Sequence, residues 1–238
     1  MQNIMKYKRI LLKLSGESLA GSLQYGIEVE RLEDYAKEIA SVYKLGTQVA
    51  IVLGGGNIFR GFQNNTTGID RVQGDYMGML ATVINSLGLQ AVLKNMNIPS
   101  VVMGGIAIDP ICEKISRERA IRELESGRVL IISGGTGNPF FTTDSAAALR
   151  AVEIKADAIL KGTRVDGVYN ADPEKDPNAV KYDKVSFGEA LEKQLRIMDQ
   201  TAFTLCRENN LPIIVFNVNQ KGNVKRIVEG EQVGTLIF

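Results

Sequence analysis

The sequence predicts an α/β fold, a three-layer αβα sandwich with a mostly parallel central sheet. Three observations predict it. Short apolar runs alternate with amphipathic stretches along the whole chain. Nearly every apolar run stops at a glycine. And 238 residues with 45% hydrophobic content suit one sizeable core, or two closely joined ones.

Taken in order, Arg9 to Leu14 is the first strand, and Leu32, Ala36, Ile39 and Tyr43 recur at helical spacing after it. Val49 to Leu53 is the second strand. Val72, Tyr76, Met79, Leu80, Val83 and Leu87 mark a long helix, whose Met and Leu stripe from Met77 to Leu87 suits core or a subunit interface. Ser100 to Met103 and Val129 to Ser133 are the third and fourth strands. An Ala-rich helix follows the fourth, and Ala158 to Lys161 is the fifth. A helix around Thr201 to Glu208, a strand from Ile213 to Phe216 and a short strand within Gly234 to Phe238 complete the chain. The polar stretch from Asp166 to Lys184 is the best lobe boundary or flap. Its first part reads as a tight Asp-Gly hairpin.

Composition narrows the chemistry. With 28 basic and 27 acidic residues the net charge is +1, so no charge-driven nucleic-acid or membrane surface is expected. Cys112 and Cys206 form no CxxC pair and fit a reduced, cytoplasmic protein. No stretch reads as a signal peptide or as long enough to span a membrane. The chain has no histidine. That removes histidine general bases, the Ser-His-Asp arrangement and His-ligated zinc. The patterns GxxxxGK[ST] and GxGxxG are also missing.

The strand ends carry the positive evidence. Gly16, Gly54 to Gly56, Gly104-Gly105, Gly134-Gly135 and Gly162 each follow an apolar run, so five glycine turns should lie along one sheet edge. Five such turns point to one long ligand or two end to end. The run Gly134-Gly135-Thr136-Gly137-Asn138-Pro139-Phe140-Phe141-Thr142-Thr143-Asp144 leads from a strand into a helix N-terminus, the arrangement that receives anionic ligands. Its short polar side chains could read a base or sugar, while Thr143 or Asp144 could simply cap the helix. Lys13 sits in an apolar run beside Ser15-Gly16, so its ammonium meets an anion or snorkels to solvent. Arg60, beyond three glycines, could clamp a phosphate or be a surface residue of a flexible turn. Lys161 brings a second cation to the same edge. Asp75 reads as a solvated acid near a helix start, and Asp199 as a helix cap. Tyr169 and Asp172 could contact a purine nucleoside.

Together the motifs KLSGE, GGGNIFRG, DYMGMLAT, GTGNPFFTTDSAA, KGTRVDGVY-x-x-DP and MD-x-TAF resemble those of the bacterial uridylate kinases, in the amino acid kinase (carbamate kinase-like) superfamily. The resemblance runs from Lys13 to Phe216, and GTGNPFFTTDSAA is its most specific part. It implies a single domain over 1–238, with a UMP-side lobe of about 1–160 and an ATP-side lobe of about 161–238. It implies ATP-dependent phosphorylation of UMP, with Mg²⁺ held mainly by the ATP phosphates. The implied ATP site is Lys13, Leu14, Ser15, Gly16, Gly56, Arg60, Thr163, Tyr169 and Asp172. The implied UMP site is Gly55, Asp75, Thr136, Gly137, Asn138, Pro139, Phe140, Phe141, Thr142 and Thr143. Lys13, Arg60, Asp144 and Lys161 would be catalytic, with Asp144 organising the lysines. A homohexamer built from dimers, inhibition by UTP and activation by GTP are also implied. The last is set against Gln90 to Lys94, which lacks the arginine and histidine cluster of some relatives. Two other readings stay open: a superfamily kinase acting on a carboxylate or carbamate, and a non-catalytic nucleotide sensor or oxyanion-storage protein.

Overall fold

The computed structural model describes residues 5–60 and 68–238. In chain order the strands are β1 (Arg9–Leu14), β2 (Gln48–Leu53), β3 (Ser100–Gly104), β4 (Glu113–Lys114), β5 (Val129–Ser133), β6 (Ala158–Thr163), β7 (Val168–Tyr169), β8 (Lys181–Tyr182), β9 (Lys184–Val185), β10 (Ile213–Asn217) and β11 (Thr235–Ile237). The α-helices are α1 (Val29–Tyr43), α2 (Arg71–Asn95), α3 (Arg117–Glu125), α4 (Thr143–Glu153), α5 (Phe187–Glu192), α6 (Gln200–Glu208) and α7 (Asn223–Val228). A 3-10 turn spans Gly16–Ala20.

Among the described residues the main sheet has nine strands in the order β4-β3-β5-β2-β1-β6-β10-β11-β9. The strands from β4 to β10 pair in parallel, and β11 is antiparallel to β10. The chain therefore builds outward on both sides of β1. Crevices at such switch points, beyond the carboxyl ends of the strands, are where α/β sheets receive ligands.

Side-chain alternation splits the interior into two cores. Ile10, Leu12, Leu14, Ile51, Leu53, Ile131 and Leu160 pack against α1, α2 and α7. Leu11, Ala50, Val52, Leu130, Ile132 and Ile159 pack against α3 to α6. On α4 the small residues Ala147, Ala148 and Ala151 are fully buried, which lets that helix sit close over β1, β2 and β6. The same alternation decides the chemistry. Lys13 and Lys161 fall on the α4 face, and the β1–β6 register sets them directly side by side.

Four expectations need correction. Asp166 and Gly167 do not form a tight hairpin. Val168 and Tyr169 pair instead with Tyr182 and Lys181, so a long connection separates the two strands. Gly167 is required by crowding, since a Cβ there would lie 2.5 Å from Thr235 Oγ1. Gly162 lies inside β6 rather than after it. The apolar positions of α2 do not share one face: Met79 and Val83 are buried, while Tyr76, Leu80 and Ile84 are exposed. Finally, α2 is by length and composition long and apolar enough to cross a membrane. It packs instead on α1, β3 and β5, and keeps the buried polar groups of Thr82, Asn85 and Ser86 hydrogen-bonded within the protein. Helices α3, α5 and α7 and the short strands β4, β8 and β9 went unpredicted; α5 and α7, of six residues each, are too short to show a period.

Candidate active site

The centre of the site follows from the register. Two lysines side by side on one face repel, and burial makes each charge costlier. Asp144 answers both. Its Oδ1 lies 2.8 Å from Lys13 Nζ and its Oδ2 2.7 Å from Lys161 Nζ. Lys161 also donates to the carbonyl of Ile197 at 2.6 Å. Burial pushes the Asp144 carboxyl upward, but the Lys13 and Lys161 ammonium groups more than offset this and hold it below the usual carboxylate range. Burial drives Lys161 downward, Asp144 opposes this and Lys13 reinforces it, leaving the amine below its ordinary value.

The helix that presents Asp144 is capped by its neighbour, not by itself. Thr142 Oγ1 accepts from the N–H groups of Asp144 and Ser145, each at 3.1 Å. So neither Thr143 nor Asp144 is the cap, and the Asp144 carboxylate is left for the lysines. Asp199 caps α6 by accepting from Ala202 N at 2.9 Å, and also accepts from Thr142 Oγ1 and from Ser145 Oγ at 3.0 Å. It thereby ties the starts of α4 and α6 together. Cys206, deeper on α6, is pushed up to about 12 by burial and by the nearby carboxylates, so it is an inert thiol.

Two clefts flank this cluster. One, of about 420 Å³, is lined by Lys13, Ser15, Glu17, Arg31, Lys161, Thr163, Arg164 and Asn219. The other, of about 280 Å³, is lined by Gly55, Gly56, Asp75, Met79, Thr82, Thr136, Phe141, Thr142 and Thr143. Thr143 faces the second cleft and the next residue grips the lysines of the first, so Asp144 stands where the two meet.

The wall of the second cleft is a pinned loop. Gly134, Gly135, Gly137 and Phe140 all have positive φ. A Cβ on Gly137 would lie 2.3 Å from Gly105 O, so two glycine turns interlock. Three contacts hold the loop from outside. Thr82 Oγ1 accepts from Gly134 N at 2.7 Å, Asp75 Oδ2 accepts from Phe140 N at 2.7 Å, and buried Arg150 donates to Thr136 O at 3.3 Å. Asp75 is therefore not merely a solvated acid. It is paired with Arg71 at 3.1 Å, and the Arg71 guanidinium lies 5.5 Å from the Phe140 ring centroid.

The sequence-predicted residues divide accordingly. Lys13, Asp144 and Lys161 come together, with Ser15 and Thr163 on the first cleft. Gly55, Asp75, Thr136, Phe141, Thr142 and Thr143 line the second, and so does Gly56, expected on the ATP side. Leu14 buries its side chain in the core, leaving only its backbone near the site. Gly16 touches the next turn: a Cβ there would lie 2.4 Å from Gly54 O. Gly137, Asn138, Pro139 and Phe140 shape the loop without lining the cleft. Arg60 lines neither cleft. Its side chain is 78% exposed and sits 3.1 Å from Glu17. Gly61 of the same motif lies outside the described residues. Tyr169 and Asp172 also line neither cleft. The Tyr169 hydroxyl donates to Asp166, and Asp172 accepts from Glu174 N at 3.0 Å in a local turn. Arg31, Asn219, Thr82 and Arg150 were missed. A polar break in the apolar pattern of α2 marks Thr82, but no local signal marks Arg31 or Asn219, which meet at 2.8 Å across 188 positions.

Known proteins are similar to this chain in sequence and fold. The amino acid kinase family profile matches residues 8–217. The uridylate kinase of Phocaeicola vulgatus is 55% identical over 232 residues, covering 98% of each chain. The crystal structure of UMP kinase from Bacillus anthracis superposes with a TM-score of 0.94 at 44% identity, covering 97% of this chain and 96% of that one. UMP kinase from Ureaplasma parvum follows with a TM-score of 0.91 at 38% identity, covering 98% and 99%. This chain belongs to the amino acid kinase family, among its uridylate kinases.

Proposed function

We propose that the chain transfers the γ-phosphoryl group of ATP to UMP, giving UDP and ADP. The observation that carries this reading is the Lys13–Asp144–Lys161 cluster at the meeting point of two clefts. A UMP phosphate oxygen attacks the γ-phosphorus, the bond to the β-phosphate bridging oxygen breaks, and that oxygen leaves with ADP. A phosphate monoester has its second pKa near roughly 6, so the acceptor is already mostly dianionic at neutral pH. No general base is needed, which fits a chain without histidine. The obstacle is repulsion between two anions, and positioning plus a fixed positive field is the remedy. Lys13 and Lys161 supply that field, and Asp144 holds both ammonium groups in place.

ATP takes the cleft of Lys13, Ser15 and Thr163, with Tyr169 and Asp172 reaching the nucleoside from the flap. UMP takes the cleft of Asp75 and Thr136 to Thr143, its ribose on Asp75. Arg60 swings from Glu17 to the phosphates. Among the described residues no three His, Cys, Asp or Glu side chains gather to hold a metal. Mg²⁺ belongs to this reading as an ion held mainly by the ATP phosphates, where it would supply charge neutralisation. We read 1–238 as one domain with an acceptor lobe of about 1–160 and a donor lobe of about 161–238. The exposed Tyr76, Leu80 and Ile84, one helical turn apart on α2, suit burial between copies of this chain in a hexamer. UTP as inhibitor, GTP as activator and a cytoplasmic location belong to the same reading.

A coupled assay with ATP and each of UMP, CMP, glutamate and aspartate tests it, with and without GTP and UTP. UDP formation specific to UMP is expected. Phosphorylation of a carboxylate, or ATP binding without transfer, would overturn it. Light scattering of the same preparation reads the subunit count.

A further inference from the structure

The Gly54–Asn57 turn offers only backbone to the space between the clefts, so something else must fix where it stands. Two buried amides lie behind it. Asn57 and Asn85 are 2% and 0% exposed. Asn85 Nδ2 donates to Asn57 Oδ1 at 2.7 Å, and Asn57 Nδ2 donates to Asn85 Oδ1 at 3.0 Å. Each amide nitrogen has a further partner. Asn85 Nδ2 donates to Gly54 O at 2.7 Å, and Asn57 Nδ2 to Gly26 O at 2.8 Å. The Asn57 carbonyl accepts from Gly26 N at 2.7 Å. Gly16 rests on the same pair: a Cβ there would lie 2.7 Å from Asn57 Oδ1.

Burying two amides is costly unless every group is satisfied, and an apolar pair can fill such a space equally well. What the amides add is direction. One network ties together the turn after β2, the chain at Gly26 and the middle of α2, and the turn after β1 packs against it. Thr82, one turn earlier on α2, pins the acceptor loop at Gly134 N. A fully satisfied network of this kind holds geometry more tightly than packing alone.

We propose that Asn57 and Asn85 are a positioning pair for phosphoryl transfer. They set where Gly16 and Gly54 to Gly56 stand relative to α2, and so how the two phosphates face each other. The inference rests on the function proposed above. Neither side chain lines either cleft, so loosening the pair should spoil in-line alignment more than binding. Misplacement by an ångström is enough to cost about a hundredfold in rate.

The test compares Asn57→Ala, Asn85→Ala, the double variant and Leu93→Ala, a fully buried control on the same helix. Measured are kcat, both KM values and Tm. Each single variant is expected to lose about tenfold or more in kcat, with KM values within about threefold. The double variant should be no more than about threefold worse than the poorer single, because a broken unit cannot be broken twice. Leu93→Ala should lose Tm yet keep kcat within about twofold. If Asn85→Ala does not fold, Asn85→Ser replaces it. Folded variants with normal kcat, losses that multiply in the double variant, or an equal kcat loss in Leu93→Ala would overturn the pair alone. Wild-type protein that makes no UDP would overturn the functional reading and the pair with it.

Discussion

The two clefts are held in different ways. The loop from Gly134 to Thr142 is anchored at Gly134, Thr136, Phe140 and Thr142 to three other helices, and glycines interlock where it passes Gly105. The stretch from Arg164 to Lys181, beside the other cleft, has a two-residue ladder between β7 and β8, and its charged side chains meet in ion pairs at or near the surface: Arg164 to Glu174 at 3.6 Å, Lys175 to Asp172 at 3.5 Å and Lys181 to Asp166 at 3.1 Å. Pairs of that kind contribute about 0–1 kcal/mol each. In the proposed reaction, the difference suits a preformed acceptor side and an adaptable donor side. A rigid wall suits discrimination between small monophosphates, and a loose one suits nucleotide entry and release.

The strongest test strikes the Lys13–Asp144–Lys161 cluster between the two clefts. Asp144→Asn should fold, because Thr142 and not Asp144 caps α4, yet lose about 10²–10³ in kcat. A variant that stays fully active and only melts earlier would reduce Asp144 to a structural role. The pH dependence has a definite sign. A carboxyl whose folded value is depressed contributes stability that is fully present above its ordinary value, roughly 4, and is lost as pH falls through the folded value. The Tm gap between wild type and Asp144→Asn should therefore be constant near neutrality and close in strong acid.

Next in size is Lys13→Ala. We expect kcat to fall by about a hundredfold while the KM for UMP moves less than about threefold, since Lys13 lines the cleft proposed for ATP and meets Asp144. Equal losses in both would mean that Lys13 only binds. The variant also relieves like-charge crowding beside Lys161, so its Tm should fall less than that of Asp144→Asn.

How much of this was legible in sequence depends on range. Lys13 and Lys161 announce themselves as charges inside apolar strands, and the glycine turns mark the ends of the strands. Their meeting with Asp144 follows once α4 is laid over β1 and β6. Thr142 as cap was hidden because three neighbouring residues could each do that job. Arg31, Asn219 and Arg150 were invisible because their partners are set by topology, not by spacing. The Asp166-Gly167 pair misled for the opposite reason. It is a strong local turn signal, but Thr235 packs against Gly167 and the long connection between β7 and β8 overrides it. For α2, periodicity located the helix but assigned a single apolar face to what are two surfaces, one on the sheet and one exposed.

A smaller effect probes the acceptor wall itself. Gly137→Ala adds a Cβ at φ 85 that would lie 2.3 Å from Gly105 O. The loop must shift, so the KM for UMP should rise about tenfold while the KM for ATP stays within about twofold. A change in both constants would show that the two walls move together.

The smallest effect is expected at Lys175→Ala, and its smallness is the point. The Lys175 side chain is 83% exposed and its pair with Asp172 spans 3.5 Å on the surface. Stability should change by no more than about 0.5 kcal/mol, within the spread of ordinary surface substitutions. Asp172 keeps its turn through Glu174 N, so the local fold survives the loss of the lysine. If the donor wall is adaptable, the KM for ATP should also stay within about twofold, and raising the salt concentration should leave the comparison with wild type unchanged. A clear rise in that KM, abolished by salt, would mean that the ion pair holds the flap in its working position. The donor side would then be as preorganised as the acceptor loop, by charge instead of by backbone.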